Sequence, residues 1–115
     1  MLYHQQKGKI MYILVKHEAD CWPTLHGKSS DLDFLTERLV EDVKKEVLRN
    51  DCEFNSAEDW GDEYHIYRPR EVKEANEEQH IENDPHYSLA HATFSDGETT
   101  IDWAIFDVDA LEDDK

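Results

Sequence analysis

The chain has few of the residues that cross-link or interrupt a fold. Its 115 residues include two Cys, three Pro and four Gly. Two cysteines do not make the disulfide framework that small secreted domains use. The longest apolar run, residues 10–15, is too short for a membrane span or a secretory signal and stops at Lys16. We therefore expect a protein of the reducing cytoplasm.

Positive charge is also scarce. Twelve Lys and Arg stand against 28 Asp and Glu, and the formal net charge is −16. Residues 1–30 hold four Lys and two acids, a net +2, whereas residues 31–115 carry −18. Proteins bind nucleic acids and anionic membranes through basic surfaces. The charge therefore argues against both as direct ligands and predicts a basic protein as the partner.

The apolar residues suffice for one core. They make up 38% of the chain and include three Trp, four Phe and five Tyr. A chain of this length holds one domain, so we predict a single acidic α+β domain over residues 1–115. Residues 1–9 and 109–115 are expected to be frayed tails. Met11 is a second candidate start residue, in which case residues 1–10 would be a leader.

Hydrophobic periodicity predicts a strand, a loop and a long helix in the first half of the chain. Residues 10–16 are apolar on both faces, which is typical of a central strand. Residues 19–30 contain Pro and Gly breakers and predict a loop. A helix is predicted over residues 31–49, capped by Ser30 and closed by Asn50. Its apolar stripe consists of Leu32, Leu35, Leu39, Val43 and Val47.

The middle of the chain is less clearly patterned. Residues 64–67 predict a short strand that ends before Pro69. The Glu-rich residues 70–83 fit an exposed helix, since Pro is well placed at a first helical position, and they fit a charged loop equally well.

The last third predicts a β-hairpin. Two β-rich runs flank a turn pair: Tyr87–Ser95, Asp96-Gly97 and Glu98–Val108. A two-residue turn would place His91 opposite Asp102 and Ala90 opposite Trp103, with Trp103 buried. The predicted fold is thus a small α+β domain in which one long amphipathic helix packs on a mostly antiparallel sheet.

No catalytic or metal motif stands out. Gly27-Lys28-Ser29 resembles the end of a phosphate-binding loop, but Trp22 replaces the required first Gly and Pro23 removes a backbone donor. Two loose sets of residues have the ligand types that zinc prefers: His17, Cys21, His26 and Cys52, and His80, His86 and His91. Neither set has the paired spacing of zinc sites, and we expect Cys21 to be buried as a small hydrophobe. We predict no catalytic residue, metal or cofactor.

The segment 51–63 is the strongest candidate for a binding site. It holds six acids and no Lys or Arg, with aromatic residues among them. Aromatic side chains are enriched at interface hot spots, although Phe54 and Trp60 would also serve to pin the loop to the core. The candidate partner-binding residues are Asp51, Glu53, Glu58, Asp59, Trp60, Asp62 and Glu63.

These features favour an acidic protein inhibitor that mimics nucleic acid and occupies the basic surface of a nucleic-acid-binding protein or nuclease. In size, charge and compactness the chain is similar to phage-encoded DNA mimics and toxin-immunity proteins, without a shared motif. Two alternatives remain open. One is a small enzyme or metal-binding domain that uses the His and Cys residues, and the other is a regulatory subunit whose acidic surface serves solubility.

The charge generates a prediction about stability. Repulsion among the acids opposes the compact state, so screening by salt should stabilise the fold. We expect the melting midpoint to rise between low salt and ~0.5 M NaCl, where the Debye length falls to a few Å. Sodium chloride is the appropriate salt, because sulfate also strengthens hydrophobic burial. A lower midpoint at high salt would show that local ion pairs outweigh the net repulsion.

Overall fold

The computed structural model describes residues 10–78 and 88–109. In chain order, the elements are β1 (Tyr12–Glu18), β2 (Thr24–Ser29), α1 (Leu32–Arg49), β3 (Tyr64–Tyr67), α2 (Pro69–Glu78), β4 (Ala90–Ser95) and β5 (Thr100–Asp107). The strands form one sheet in the order β2-β1-β5-β4-β3, and every neighbouring pair is antiparallel. The predicted α+β class, long helix and C-terminal hairpin are confirmed.

Helix α1 covers one face of the sheet with its apolar stripe. The fully buried helix residues are Leu35, Leu39, Val43 and Val47. They pack with buried sheet residues that include Leu14, Tyr64, Ile66, Phe94 and Trp103. Each fully buried aliphatic or aromatic side chain contributes about 1.5–3 kcal/mol. This layer is therefore the main source of stability and fixes the helix on the sheet.

Both ends of α1 are stabilised by local hydrogen bonds. The cap is Asp31, not the predicted Ser30, because the Asp31 carboxylate accepts from the Phe34 amide at 3.2 Å. Asn50 closes the helix as predicted. The amides of Asp51 and Cys52 then donate to the carbonyls of the last turn at 3.1 and 3.0 Å, in a Schellman arrangement.

The predicted loop over residues 19–30 is wrong in its second half, which forms β2. This strand lies at an edge of the sheet and pairs with β1, with an irregularity opposite Leu14 and Val15. An edge strand has one paired side and few buried positions, so it lacks the apolar signal of an inner strand. Gly27 belongs to this strand, and a Cβ there would stand 2.8 Å from Leu35. Close packing against the helix, rather than phosphate binding, accounts for this glycine.

The hairpin is correct in its faces but wrong in its register. Trp103 is buried as predicted, yet it pairs with Ala92, and His91 pairs with Ala104 instead of Asp102. The turn spans residues 96–99, because the Asp96 carboxylate accepts from the amides of the two residues that end it, both at 2.9 Å. This side-chain bonding lengthens the turn and moves the pairing by two residues. A shift of two keeps every side chain on its predicted face.

The structure decides between the exposed helix and the charged loop that were predicted for the Glu-rich segment. Residues 64–67 form β3, and the Glu-rich segment begins as the helix α2, so the helical reading holds through Glu78. Residues 79–87, which include the candidate ligands His80 and His86, lie outside the described residues, as do the predicted tails 1–9 and 109–115 except for Asp109. The Asp109 amide donates to the Asp107 carboxylate at 2.9 Å. No helix in the described part has the length and apolar character needed to cross a membrane.

A buried ion pair ties α1 to β1. Lys16 donates to Glu46 at 2.5 Å, and their side chains are 11% and 8% exposed. The Lys16 ammonium also lies 5.9 Å from the centre of the Trp103 ring. Arg49 donates to the other oxygen of Glu46 at 2.8 Å from a mostly exposed position. Sequence periodicity gave no sign of this pair, because it joins residues 30 positions apart.

The pair generates a prediction about its energetics. Removing one partner of a buried ion pair leaves an uncompensated charge and costs about 3–5 kcal/mol. We expect Lys16→Met to lower the free energy of unfolding in urea by about 3 kcal/mol, and the double variant Lys16→Met/Glu46→Leu to recover most of that loss. Arg49→Met is the exposed control and should cost less than about 1 kcal/mol. If the double variant were as unstable as the single one, packing rather than charge would explain the effect.

Candidate partner-binding surface

The antiparallel topology brings three connecting segments to one end of the sheet. They are residues 18–23 after β1, residues 51–63 after α1, and residues 96–99 after β4. Two backbone hydrogen bonds link them. The Ala19 amide donates to the carbonyl of Thr100 at 3.0 Å, and the Ser95 amide donates to the carbonyl of Glu63 at 2.8 Å. We call these three segments together the acidic end.

The acidic end carries ten carboxylates and no Lys or Arg. Six belong to the predicted segment 51–63. The other four, which sequence reasoning missed, are Glu18, Asp20, Asp96 and Glu98. These four acids are far from residues 51–63 in sequence. Only the strand order shows that they lie at the same end of the sheet. The C-terminus of α1 points to the same end and adds the negative pole of its dipole.

Residues 51–63 are held in place by Tyr64. Its hydroxyl accepts from the Asn55 amide at 3.3 Å and lies 3.1 Å from the Glu58 carbonyl, to which it can donate. Phe54 stacks on its ring at a centroid distance of 4.9 Å. Gly61 crosses the same ring so closely that a Cβ would stand 2.3 Å from it. Phe54 therefore does pin the segment to the core, which was one of the two roles expected for it.

The segment also pairs with the outer edge of β3. The Ile66 amide donates to the Asp59 carbonyl at 2.7 Å, and the Gly61 amide donates to the Tyr64 carbonyl at 2.9 Å. Trp60 forms an isolated bridge with His65 between them. These bonds satisfy an edge that would otherwise attract other strands. The segment is thus fixed along its length and can present side chains in a defined arrangement.

Asp59 differs from the other predicted site residues. Its carboxylate accepts two bonds from Arg68, at 2.8 Å from Nε and 3.3 Å from Nη2. Arg68 also donates to Glu37 at 3.3 Å, and its bonds to Asp59 raise the pKa of the guanidinium. The charge of Asp59 is therefore used inside the molecule, where it holds the segment against the start of α2.

Trp60 is the exposed aromatic residue of the segment, with 48% of its surface accessible. Its ring lies 4.4 Å from the ring of His65 and 5.2 Å, edge-on, from that of Tyr67. Tyr67 stacks in turn on His91 at 4.5 Å. Burial lowers the pKa of His91, while the charge of Asp102 opposes the shift. Among the described residues, the rings of His65 and Tyr67 lie against the indole, and about half of the Trp60 surface stays exposed.

The same segment encloses a shallow concavity of about 430 Å³. Asp59 is the one predicted site residue that does not line it. The lining consists of Asp51, Cys52, Glu53, Asn55, Glu58, Trp60, Gly61, Asp62, Glu63 and Tyr64. The structure therefore brings the other six predicted residues to one open, acidic surface with an exposed indole at its rim.

The pKa shifts of Cys52 and Asp96 reflect the electrostatics of this surface. Burial raises the pKa of the Cys52 thiol, and the carboxylates of Glu63, Asp96 and Asp51 raise it further. Bonds from the amides of Glu98 and Thr99 lower the pKa of Asp96, so its carboxylate stays charged. Segments 51–63 and 96–99 thus act on the same thiol and form one negative field.

The first candidate set of zinc ligands, His17, Cys21, His26 and Cys52, does not assemble. Cys21 is exposed, contrary to its predicted burial, and both cysteines are free thiols. His26 bonds to Asp42 of α1 at 2.8 Å, whereas His17 is exposed and pairs with Asp102 in β5. Within residues 10–78 and 88–109, no three His, Cys, Asp or Glu side chains come close enough to hold a metal ion.

The chain was compared with known protein families, with curated proteins and with solved structures. It matches none of them. Its function is therefore inferred from the charge and geometry of its own surface. The acidic end and Trp60 are the features with the clearest chemical consequence.

The raised pKa of Cys52 can be tested directly. In a Cys21→Ser background, alkylation by iodoacetamide at pH 8 reports on Cys52 alone. Glu63→Gln removes a carboxylate that raises this pKa, so it should increase the thiolate fraction and speed alkylation roughly twofold at low salt. Glu98→Gln is the matched control, since it removes one charge from the neighbouring turn and Glu98 is not among the carboxylates that raise the pKa of the thiol. Equal rates in the two variants would contradict the assigned field.

Proposed function

We propose that this protein is an inhibitor that mimics nucleic acid and occupies the basic surface of a nucleic-acid-binding protein or nuclease. Carboxylates of the acidic end take the places of phosphates, and long-range attraction makes the encounter fast. The proposed inhibitor is of the phage anti-defence or toxin-immunity type. The two free cysteines are consistent with action in the cytoplasm.

The charge density of the acidic end is the observation that supports this proposal most strongly. Four spacings between neighbouring strands give the end a width of about 19 Å. Without Asp59, which Arg68 neutralises, nine carboxylates over that width amount to roughly one charge per 2 Å, whereas double-stranded DNA carries one per about 1.7 Å of its axis. A basic cleft that neutralises phosphates would meet a similar number of charges here.

Trp60 is the proposed anchor that slows dissociation of the complex. Steering by charge mainly sets the association rate, whereas buried anchors set the dissociation rate. The Trp60 ring stands next to the acidic concavity and is held by His65 and Tyr67. An arginine side chain of the partner can stack on this face and bond a carboxylate at the same time.

The proposal is tested by capture from an extract of the source cells. The immobilised chain should retain a basic nucleic-acid-binding protein at low salt and release it as salt rises. Nucleic acid should compete with the chain for the purified partner. Replacing Glu53 and Asp62 with Lys should weaken capture at least tenfold, because both are exposed and neither bonds to another side chain among the described residues.

The matched control reverses two exposed acids on α2, Glu77→Lys and Glu78→Lys. It changes the net charge by the same amount at two positions outside the three segments of the acidic end and should leave capture unchanged. If both double variants lost capture equally, the attraction would be a property of net charge alone. If nucleic acid and the chain bound the partner together, mimicry would be wrong.

A further inference from the structure

A second tryptophan stands in the acidic end, on the turn between β1 and β2. Trp22 is 90% exposed, which makes it more exposed than Trp60. The turn that carries it is ordered by local bonds. The Cys21 amide donates to the Glu18 carbonyl at 3.0 Å, and Asp20 adopts a left-handed φ of 65°. Pro23 follows directly and restricts the backbone further.

An exposed indole on a constrained turn suits binding. Exposed Trp side chains gain most when a partner buries them, and Trp is enriched among the residues that dominate interfaces. A constrained turn loses little conformational entropy on binding. Leu25, on the strand that follows this turn, is also exposed, at 62%. The sequence around it from residue 17 to 27 has two acids and no Lys or Arg.

We propose that Trp22 is a second anchor for the same basic partner, and that it enters an apolar socket surrounded by basic side chains. This inference rests on the proposed function. The Ala19–Thr100 bond and the shared strand ends place the turn in the acidic end with residues 51–63. A partner that covers both tryptophans must therefore present a basic surface at least about 19 Å wide, four strand spacings across.

A second copy of the chain is a poorer occupant of this surface. It would bring its own acidic end or its net charge of −16 toward a turn that already carries Glu18 and Asp20. Pairing along β2, an edge strand of the sheet that the described residues form, is also hindered, because the strand is irregular opposite Leu14 and Val15 and such irregularities protect edges from extension. Charge complementarity instead selects a basic protein.

The test uses a photoreactive side chain at each anchor. The full chain is expressed in its source cells with benzoylphenylalanine replacing Trp22, Trp60 or Phe34, one at a time. Phe34 is 53% exposed at the opposite end of the sheet and serves as the control. After irradiation, mass spectrometry identifies the adducts. Positions 22 and 60 should capture the same basic protein, and position 34 should not.

The outcomes separate this inference from the proposed function. Capture of a basic protein from position 60 alone, or of different proteins from positions 22 and 60, would overturn the second anchor and leave the inhibitor proposal standing. Failure of position 60 to capture any basic protein would count against both. With the captured protein purified, Trp22→Ala should speed dissociation about tenfold or more. An unchanged dissociation rate would reduce Trp22 to a neighbour of the interface and overturn the inference.

Discussion

The burial of one helical stripe against the sheet is the interaction on which the rest of the structure depends. Leu35, Leu39, Val43 and Val47 can reach the inner face only if α1 runs across it along its full length. The helix then ends where β1 ends and β3 begins, and its C-terminus lies beside the turns of the sheet. A net charge of −16 is tolerated because this apolar layer is separate from the end where the carboxylates gather.

The acidic end carries costs in backbone conformation and in charge. Asp51 has a φ of 61°, a conformation that favours Gly or Asn at this position after a helix. Its negative charge also stands at the helix C-terminus, where the dipole favours cations. Asp20 has a left-handed φ in the neighbouring turn. Backbone conformations and charges that lower stability are expected to cluster at functional surfaces. Here they coincide with the densest charge and with two exposed tryptophans.

Sequence patterns predicted the elements that are amphipathic and missed what depends on pairing. Helix 31–49 and the faces of the hairpin followed from periodicity, because burial of one side imposes it. The sequence predicts a loop where the edge strand β2 lies, because a strand with one neighbour needs little apolar surface. The turn register failed because the Asp96 side chain, not the Asp-Gly pair alone, sets its length. Likewise, nothing in the sequence distinguishes Asp59 from the other acids of its segment. Its bonds to Arg68 depend on the fold, because β3 brings the two residues together.

Folding and binding are coupled through the same carboxylates. Folding gathers ten of them at one end, and their mutual repulsion is a cost that the apolar layer must offset. A basic partner that neutralises this end removes the repulsion as well as adding its own contacts. Ligands that bind only the folded state stabilise it in proportion to their affinity. The proposed complex would therefore resist unfolding better than the isolated chain, because the partner would relieve a repulsion that the isolated chain retains.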